Sequence, residues 1–163
     1  MKTESAIAVV GTFDSKAEEH FFLKDRIERR GFRVLTFNVG TKGPSPSPVS
    51  TDLYKRLQEN GKLNPGSRDE AIAAMILEAE VEIKQLYHKG EISGIISAGG
   101  GTGTHLCTRI MHGLPLGVPK VMVSTVASRD MSDTVGTKDI TIIHSVADLL
   151  GVNSISGRIL ENA

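Results

Sequence analysis

The feature that most constrains this chain is a repeated alternation: short, largely apolar runs, each followed by a glycine or polar turn and then a stretch with helical spacing. Ala6-Ile7-Ala8-Val9-Val10 leads into Gly11, and Ile92 to Ala98 leads into a run of glycines. Runs so short and so apolar read as strands buried on both faces, the environment of a central parallel sheet. Behind the first run, Ser15 to Arg30 reads as a helix. Ser15 and Glu18 have capping-box spacing, Ala17, Leu23 and Ile27 share one side, and Gly31 is placed as the terminator. Arg33 to Asn38 is a second strand. After it, Gly40 to Pro48 is too rich in Pro and Gly for regular structure, and Gly40 to Gly66 reads as a long loop with a short helix near Thr51 to Asn60.

Ser67 and Glu70 repeat the capping-box spacing, and Ile72, Met75, Ile76, Ala79, Ile83 and Leu86 follow a helical period up to Gly90. Ile92 to Ala98 is the third strand. Thr104 to His112 is the next helix, Pro119 to Ser124 a fourth strand, Ile140 to His144 a fifth, and Ser145 to Leu150 opens another helix. The expected fold is therefore α/β and three-layered. A five-stranded, mostly parallel, Rossmann-like or flavodoxin-like sheet of order 2-1-3-4-5 carries helices on both faces. In that order the first and third strands flank the point where chain direction reverses, and ligands bind beyond their carboxyl ends.

Length and charge restrict the function classes. A chain of 163 residues supports one domain, a size that buries about 70% of its unfolded surface. Nineteen Lys and Arg balance nineteen Asp and Glu. No global field attracts nucleic acid or a lipid surface, so an anion site has to be built locally. The single Cys107 and the absence of a leader-like apolar segment point to the cytoplasm. Ile155, Ile159 and Leu160 keep helical spacing to the last residues with no terminating Gly or Pro, which points to one domain of a longer protein.

The residues suited to chemistry gather at strand ends. Gly99-Gly100-Gly101-Thr102-Gly103-Thr104 forms a glycine turn between strand and helix, where amides approach an anion without Cβ interference and hydroxyls add donors. It lacks the Lys of a Walker motif and the last Gly of a dinucleotide fingerprint. A tight turn serving packing alone is the competing reading. Gly11, Thr12, Asp14 and Lys16 sit at the mouth of the first strand. They offer a donor, a carboxylate able to hold Mg²⁺ through water, and a cation, although Asp14 or Ser15 could equally cap the helix and Lys16 point to solvent. Ser124 and Thr125 end the fourth strand and border the same crevice, with Arg129, Asp130 and Asp133 beyond. The five histidines, at 20, 88, 105, 112 and 144, show no metal-ligand spacing, and Cys107 reads as core.

These motifs, with Gly117 to Ser128, Val135-Gly136-Thr137 and Asp139-Ile140-Thr141, resemble the N-terminal domain of the tomato mosaic virus resistance protein family, a broad set of plant, fungal and bacterial proteins. The resemblance covers nearly the whole chain. It implies a nucleotide-binding domain taking ATP with Mg²⁺, followed by a second α/β domain, and it brings no general catalytic activity. The expectation is an ATP-binding domain in a homo-oligomer. The phosphates lie on Gly100 to Thr104, Thr12 and Lys16 assist, and the loop after the second strand approaches the nucleoside. Two alternatives stand beside it: an enzyme acting on a phosphorylated or carboxylated metabolite, and a nucleotide-dependent interaction module.

Overall fold

The computed structural model describes residues 4–63 and 66–163. Its strands are β1 (Ala6–Gly11), β2 (Val34–Asn38), β3 (Thr51–Asp52), β4 (Ile92–Gly99), β5 (Lys120–Ser124) and β6 (Ile140–His144). They form one sheet of order β3-β2-β1-β4-β5-β6, with every neighbouring pair parallel. Five of them are the strands expected, in the expected relative order. The addition is β3, which pairs to β2 through Phe37 with Thr51 and Asn38 with Asp52. Two residues without an apolar run leave no strand pattern to read. With β3 included the order is that of doubly wound dinucleotide-binding sheets, and β1 and β4 flank the switch point.

The helices are α1 (Phe13–Arg29), α2 (Leu53–Glu59), α3 (Arg68–His88), α4 (Gly101–His112), α5 (Ser132–Val135) and α6 (Ser154–Asn162). Strand alternation divides the core in two. Ala6, Ala8 and Val10 pack with Leu57, Met75, Ile83, Leu106 and Ile110 against α2, α3 and α4, while Val9 packs with Phe13, Leu23, Ile96 and Leu160 against α1 and α6. Three layers result. In β4 the alternation slips at Ser93, where the register against β1 jumps from Ile92 to Gly94, so Ile92 and Ile95 reach the same core.

At the far end of the sheet, Lys120 is buried and its ammonium has three acceptors: Pro115 O at 2.7 Å, Val118 O at 2.8 Å and Asp139 Oδ1 at 2.7 Å. A buried charge is tolerable only when its donors are satisfied. The hydrogen bond from Lys120, with a second from the Gly117 amide, holds the Asp139 carboxyl down at about 2.

Three helix starts differ from expectation, and in each the backbone's partners explain why. First, α1 begins at Phe13 with Thr12 as N-cap and turns non-helical at Lys16. Ser15 and Glu18 form no capping box there, because Glu18 instead accepts from Val152 N and the neighbouring Glu19 from Gly151 N. Second, those same bonds hold residues 145–152 out of helix, so the helix expected at Ser145 starts at Ser154. There Asn153 and Ser156 make a capping box, after a turn in which Val146 takes a φ of 66°. Third, α4 starts at Gly101, so most of the glycine turn is the first turn of a helix. Its Gly99 and Gly103 pack closely: a Cβ on Gly99 would lie 3.1 Å from Gly103 Cα. The expected loop from Gly40 to Gly66 contains β3 and α2, and its residues 64 and 65 lie outside the described residues.

One buried side chain joins β1, α1 and β4. His20 is fully buried and its ring occupies the place where Gly11 lacks a side chain, so that a Cβ there would fall 1.9 Å from His20 Nε2. Ala98 N donates to Nε2 at 3.4 Å, which leaves Nδ1 as the protonated nitrogen donating to Lys16 O at 2.6 Å. Replacing Gly11 with Ala therefore forces the imidazole out of both bonds. Urea unfolding is expected to show a loss of about 2–3 kcal/mol for Gly11→Ala, the scale of an overpacked core, and a much smaller loss when His20→Ala is already present. Equal losses in the two backgrounds would show that the ring and the glycine are not in contact.

Candidate functional site

Beyond the carboxyl ends of β1 and β4 lies a cleft of about 200 Å³. Thr12, Asp14, Ser15 and Lys16 form one wall, Thr41 and Lys42 another, and Arg68 stands at the rim above Gly100, Gly101, Thr102 and Gly103. A larger groove of about 560 Å³ sits under Phe32 at the opposite ends of the strands and contains none of the residues marked for chemistry in the sequence. The polar cleft at the switch point is the candidate site, because chemistry rather than size recommends it.

Its floor is the start of α4. The N-cap, Gly100, has no side chain to offer, and the first amide to find a backbone acceptor is that of Thr104, on Gly100 O at 2.8 Å. The amides of Gly101, Thr102 and Gly103 have no acceptor among the described residues. Helix termini leave such donors aligned with the positive end of the helix dipole, which attracts an anion. Side chains at Gly100, Gly101 and Gly103 would meet nothing closer than 3.7 Å, so these glycines leave the floor open rather than relieve a clash.

The walls are held by the backbone of the loop after β2. Asn38 is buried and fully used: Oδ1 accepts from Phe13 N at 3.1 Å and Gly40 N at 3.0 Å, and Nδ2 donates to Asp52 Oδ1 at 2.9 Å and Gly43 O at 3.3 Å. Asp14 Oδ2 accepts from Lys42 N at 2.8 Å, and Gly40 packs where a Cβ would strike the Asp14 carboxylate. This leaves Asp14 Oδ1 buried and without a hydrogen-bond partner. Three basic residues, Lys16, Lys42 and Arg68, and one acidic residue, Asp14, are in the lining. A chain of zero net charge thus carries a locally positive cleft.

Residues 5–163 match the N-terminal domain of the uncharacterised protein family UPF0261. The chain belongs to this family. It is 39% identical to a UPF0261 protein of Clostridium tetani over 162 residues, 96% of this chain and 40% of that relative, and 39% identical to the Rhizobium meliloti UPF0261 protein RA0729 over 161 residues. It is also 38% identical to the tomato ToMV resistance protein Tm-1(GCR237), covering 94% of this chain and 23% of that one. The chain thus spans less than half the length of these UPF0261 relatives.

Of the residues marked in the sequence, this UPF0261 domain brings Thr12, Asp14, Lys16, Gly100, Gly101, Thr102 and Gly103 to the cleft. The others stand behind it. Gly11 makes room for His20 and Gly99 for Gly103. Thr104 and Ser124 are buried against each other, their hydroxyls 2.7 Å apart, and Thr125 donates its amide to Gly99 O. Lys16 lies in the wall, yet its ammonium is committed to Leu149 O. Arg129, Asp130 and Asp133 line none of it; Asp130 receives the Ser132 amide, which holds its carboxyl below the usual range. Cys107 is core, as read, and burial pushes its thiol up to about 12.

Arg68 was missed as a site residue, and a signal for it existed. It opens a helix beside the N-cap Ser67, where a cation opposes the helix dipole. It donates to Thr102 Oγ1 at 2.7 Å, bringing a guanidinium to the rim of the α4 floor. Thr41 and Lys42 carried no signal beyond a Pro- and Gly-rich loop. No group of three or more His, Cys, Asp or Glu able to hold a metal occurs among the described residues, and no described helix is long and apolar enough to cross a membrane.

His20 supports the cleft from behind, and its ionisation is suppressed. Burial lowers its pKa from 6.5 to about 4, against the opposing hydrogen bond to the Lys16 carbonyl. The folded value lies below the unfolded one, so the unfolded chain binds the proton first and stability falls as pH drops from about 6.5 toward 4. A shift of this size corresponds to roughly 3 kcal/mol at the low end. Urea midpoints measured at pH 7 and pH 5 should show a clear loss for the parent chain and a smaller one for His20→Gln.

Proposed function

We propose that this domain binds ATP with Mg²⁺ and holds the phosphates on the first turn of α4. The observation that carries the reading is the coincidence of three unpaired amides, at Gly101 to Gly103, with a guanidinium at Arg68 and a threonine hydroxyl at Thr12 around one cleft. Amides and dipole bind a phosphate oxyanion, and Arg68 gives a two-pronged contact to a second. The cleft's volume suits the phosphates, with the nucleoside lying outward past Thr41 and Lys42. Asp14 Oδ1, buried and without a partner, is the group that would hold Mg²⁺, through water and alongside phosphate oxygens. The ion supplies charge neutralisation there, and one carboxylate suffices when the ligand brings its own oxygens. The reading places the protein in a reducing cytoplasm, where Cys107 remains a thiol.

The tomato relative is named for virus resistance. That role stays with that protein, since no feature of the cleft speaks to it. A second reading has its own support: 200 Å³ also fits a small phosphorylated or carboxylated metabolite entire. In longer relatives the rest of the chain would then close over it as part of an enzyme.

Thermal unfolding separates the two. At ten times its dissociation constant, ATP with Mg²⁺ is expected to stabilise the chain by about 1.4 kcal/mol, or about 3–5 °C. Arg68→Ala, at an exposed position, and Gly101→Val, where a Cβ meets nothing closer than 4.0 Å, should remove most of the shift and leave the unliganded melting temperature little changed. No shift with millimolar ATP, together with a shift from inorganic phosphate or a small sugar phosphate, would transfer the site to the second reading.

A further inference from the structure

The long helix α3 is apolar on two opposite sides. Ala71, Met75, Ala79 and Ile83 are buried against the sheet. On the helical wheel, Leu77 lies diametrically opposite their mean direction, flanked by Ala73 and Val81 one turn to either side. Leu77 is 67% exposed and Val81 56%. A helix that is apolar all round ordinarily has partners all round, whereas a surface helix turns charge to its outer face. Beside Leu77 runs a groove of about 630 Å³, with Ile76, Thr108 and Arg109 in its lining, open to receive another element.

The charges around this stripe identify the occupant. Glu70, Ala73, Leu77, Val81 and Lys84 follow one another in steps of three and four residues, the spacing of a seam between two closely aligned helices. In an antiparallel pair centred on Leu77, positions equally distant from the centre meet. Ala73 then faces Val81 of the partner subunit, a small side chain against a larger one, and Glu70 faces Lys84 of the partner subunit, an acid against a base. The two-fold repeats both contacts. The sequence of this face is thus complementary to itself in reverse, as an isologous interface requires. Within the monomer Lys84 bonds Glu80 Oε1 at 2.5 Å, and its side chain remains 43% exposed.

We propose that two copies of this chain pair antiparallel through the outward face of α3, with Ala73, Leu77 and Val81 as the seam and Glu70 and Lys84 as its charged ends. The contact is small and belongs with weak dimers, with a dissociation constant on the order of micromolar or above. Because α3 begins at Arg68, the same helix that carries the dimer seam also carries a residue of the cleft rim.

Sedimentation velocity over a protein concentration series tests this on the chain itself, with no ligand added. A monomer–dimer equilibrium is expected. Leu77→Arg should weaken it more than about tenfold by placing like charges at the two-fold, and should leave the melting temperature of the monomer unchanged because the side chain is outside the core. Glu70→Lys and Lys84→Glu should each weaken the dimer, and the double swap should restore it. A chain that stays monomeric at every concentration, a dimer indifferent to Leu77→Arg, or a double swap without rescue each overturns the pairing. So does a longer family member that is monomeric yet shields this face of α3, which would assign the stripe to another domain.

Discussion

The imidazole of His20, buried where Gly11 has no side chain, fixes the geometry on which the cleft depends. It holds the Lys16 carbonyl on one side and the Ala98 amide on the other, and so ties the β1–α1 turn to β4 at the point where the sheet reverses direction. Burial keeps the ring neutral, and one protonated nitrogen donates while the other accepts. Lys16 leaves helical geometry at the residue whose carbonyl the ring takes, and its ammonium reaches Leu149 O. The wall of the cleft is therefore the outside of a packing arrangement whose inside is one glycine and one histidine.

Around that anchor the loops are joined by polar side chains acting on backbone. Asn38 joins the Phe13 and Gly40 amides, and Asp52 joins Asn38 to the Ser45 amide. Asp14 holds the Lys42 amide across the mouth. A Pro- and Gly-rich segment with few apolar anchors gains its shape this way, because amides without a strand partner must be satisfied by something. The consequence is a rim held in place by the chain's own hydrogen bonds. Arg68 reaches from it to Thr102 at a helix terminus that offers donors and no capping side chain.

Much of the fold was legible because it rests on local pattern. The run at Ala6 is apolar on both faces and the run at Ile92 largely so, which reads as central strands, and the period through Met75, Ala79 and Ile83 reads as a helix. What misled were signals that other partners captured. Ser15 and Glu18 have the spacing of a cap, yet Glu18 is drawn to the Val152 amide 134 residues away. The stretch after Ser145 has helical composition, but its amides and carbonyls are taken by Glu18, Glu19 and Lys16. In the site, the residues at the ends of β1 and β4 could be found because topology brings strand ends together. Arg68 comes from the start of α3, where its place against the helix dipole marks it as unusual, but packing is what sets it beside Thr102, 34 residues on.

The sequence by itself determined the layers, the parallel sheet with its switch point, and the glycine floor of the cleft, since these follow from hydrophobic period, chain alternation and backbone freedom. Tertiary structure alone decided which polar groups face the cleft. Thr104 and Ser124 look like donors in the sequence and spend their hydroxyls on each other, whereas Arg68 and Lys42 look like surface residues and stand at the rim. The physical reason is that a polar side chain's role depends on which partner lies within about 3 Å of it, and that distance is fixed by long-range packing, not by its neighbours in the chain.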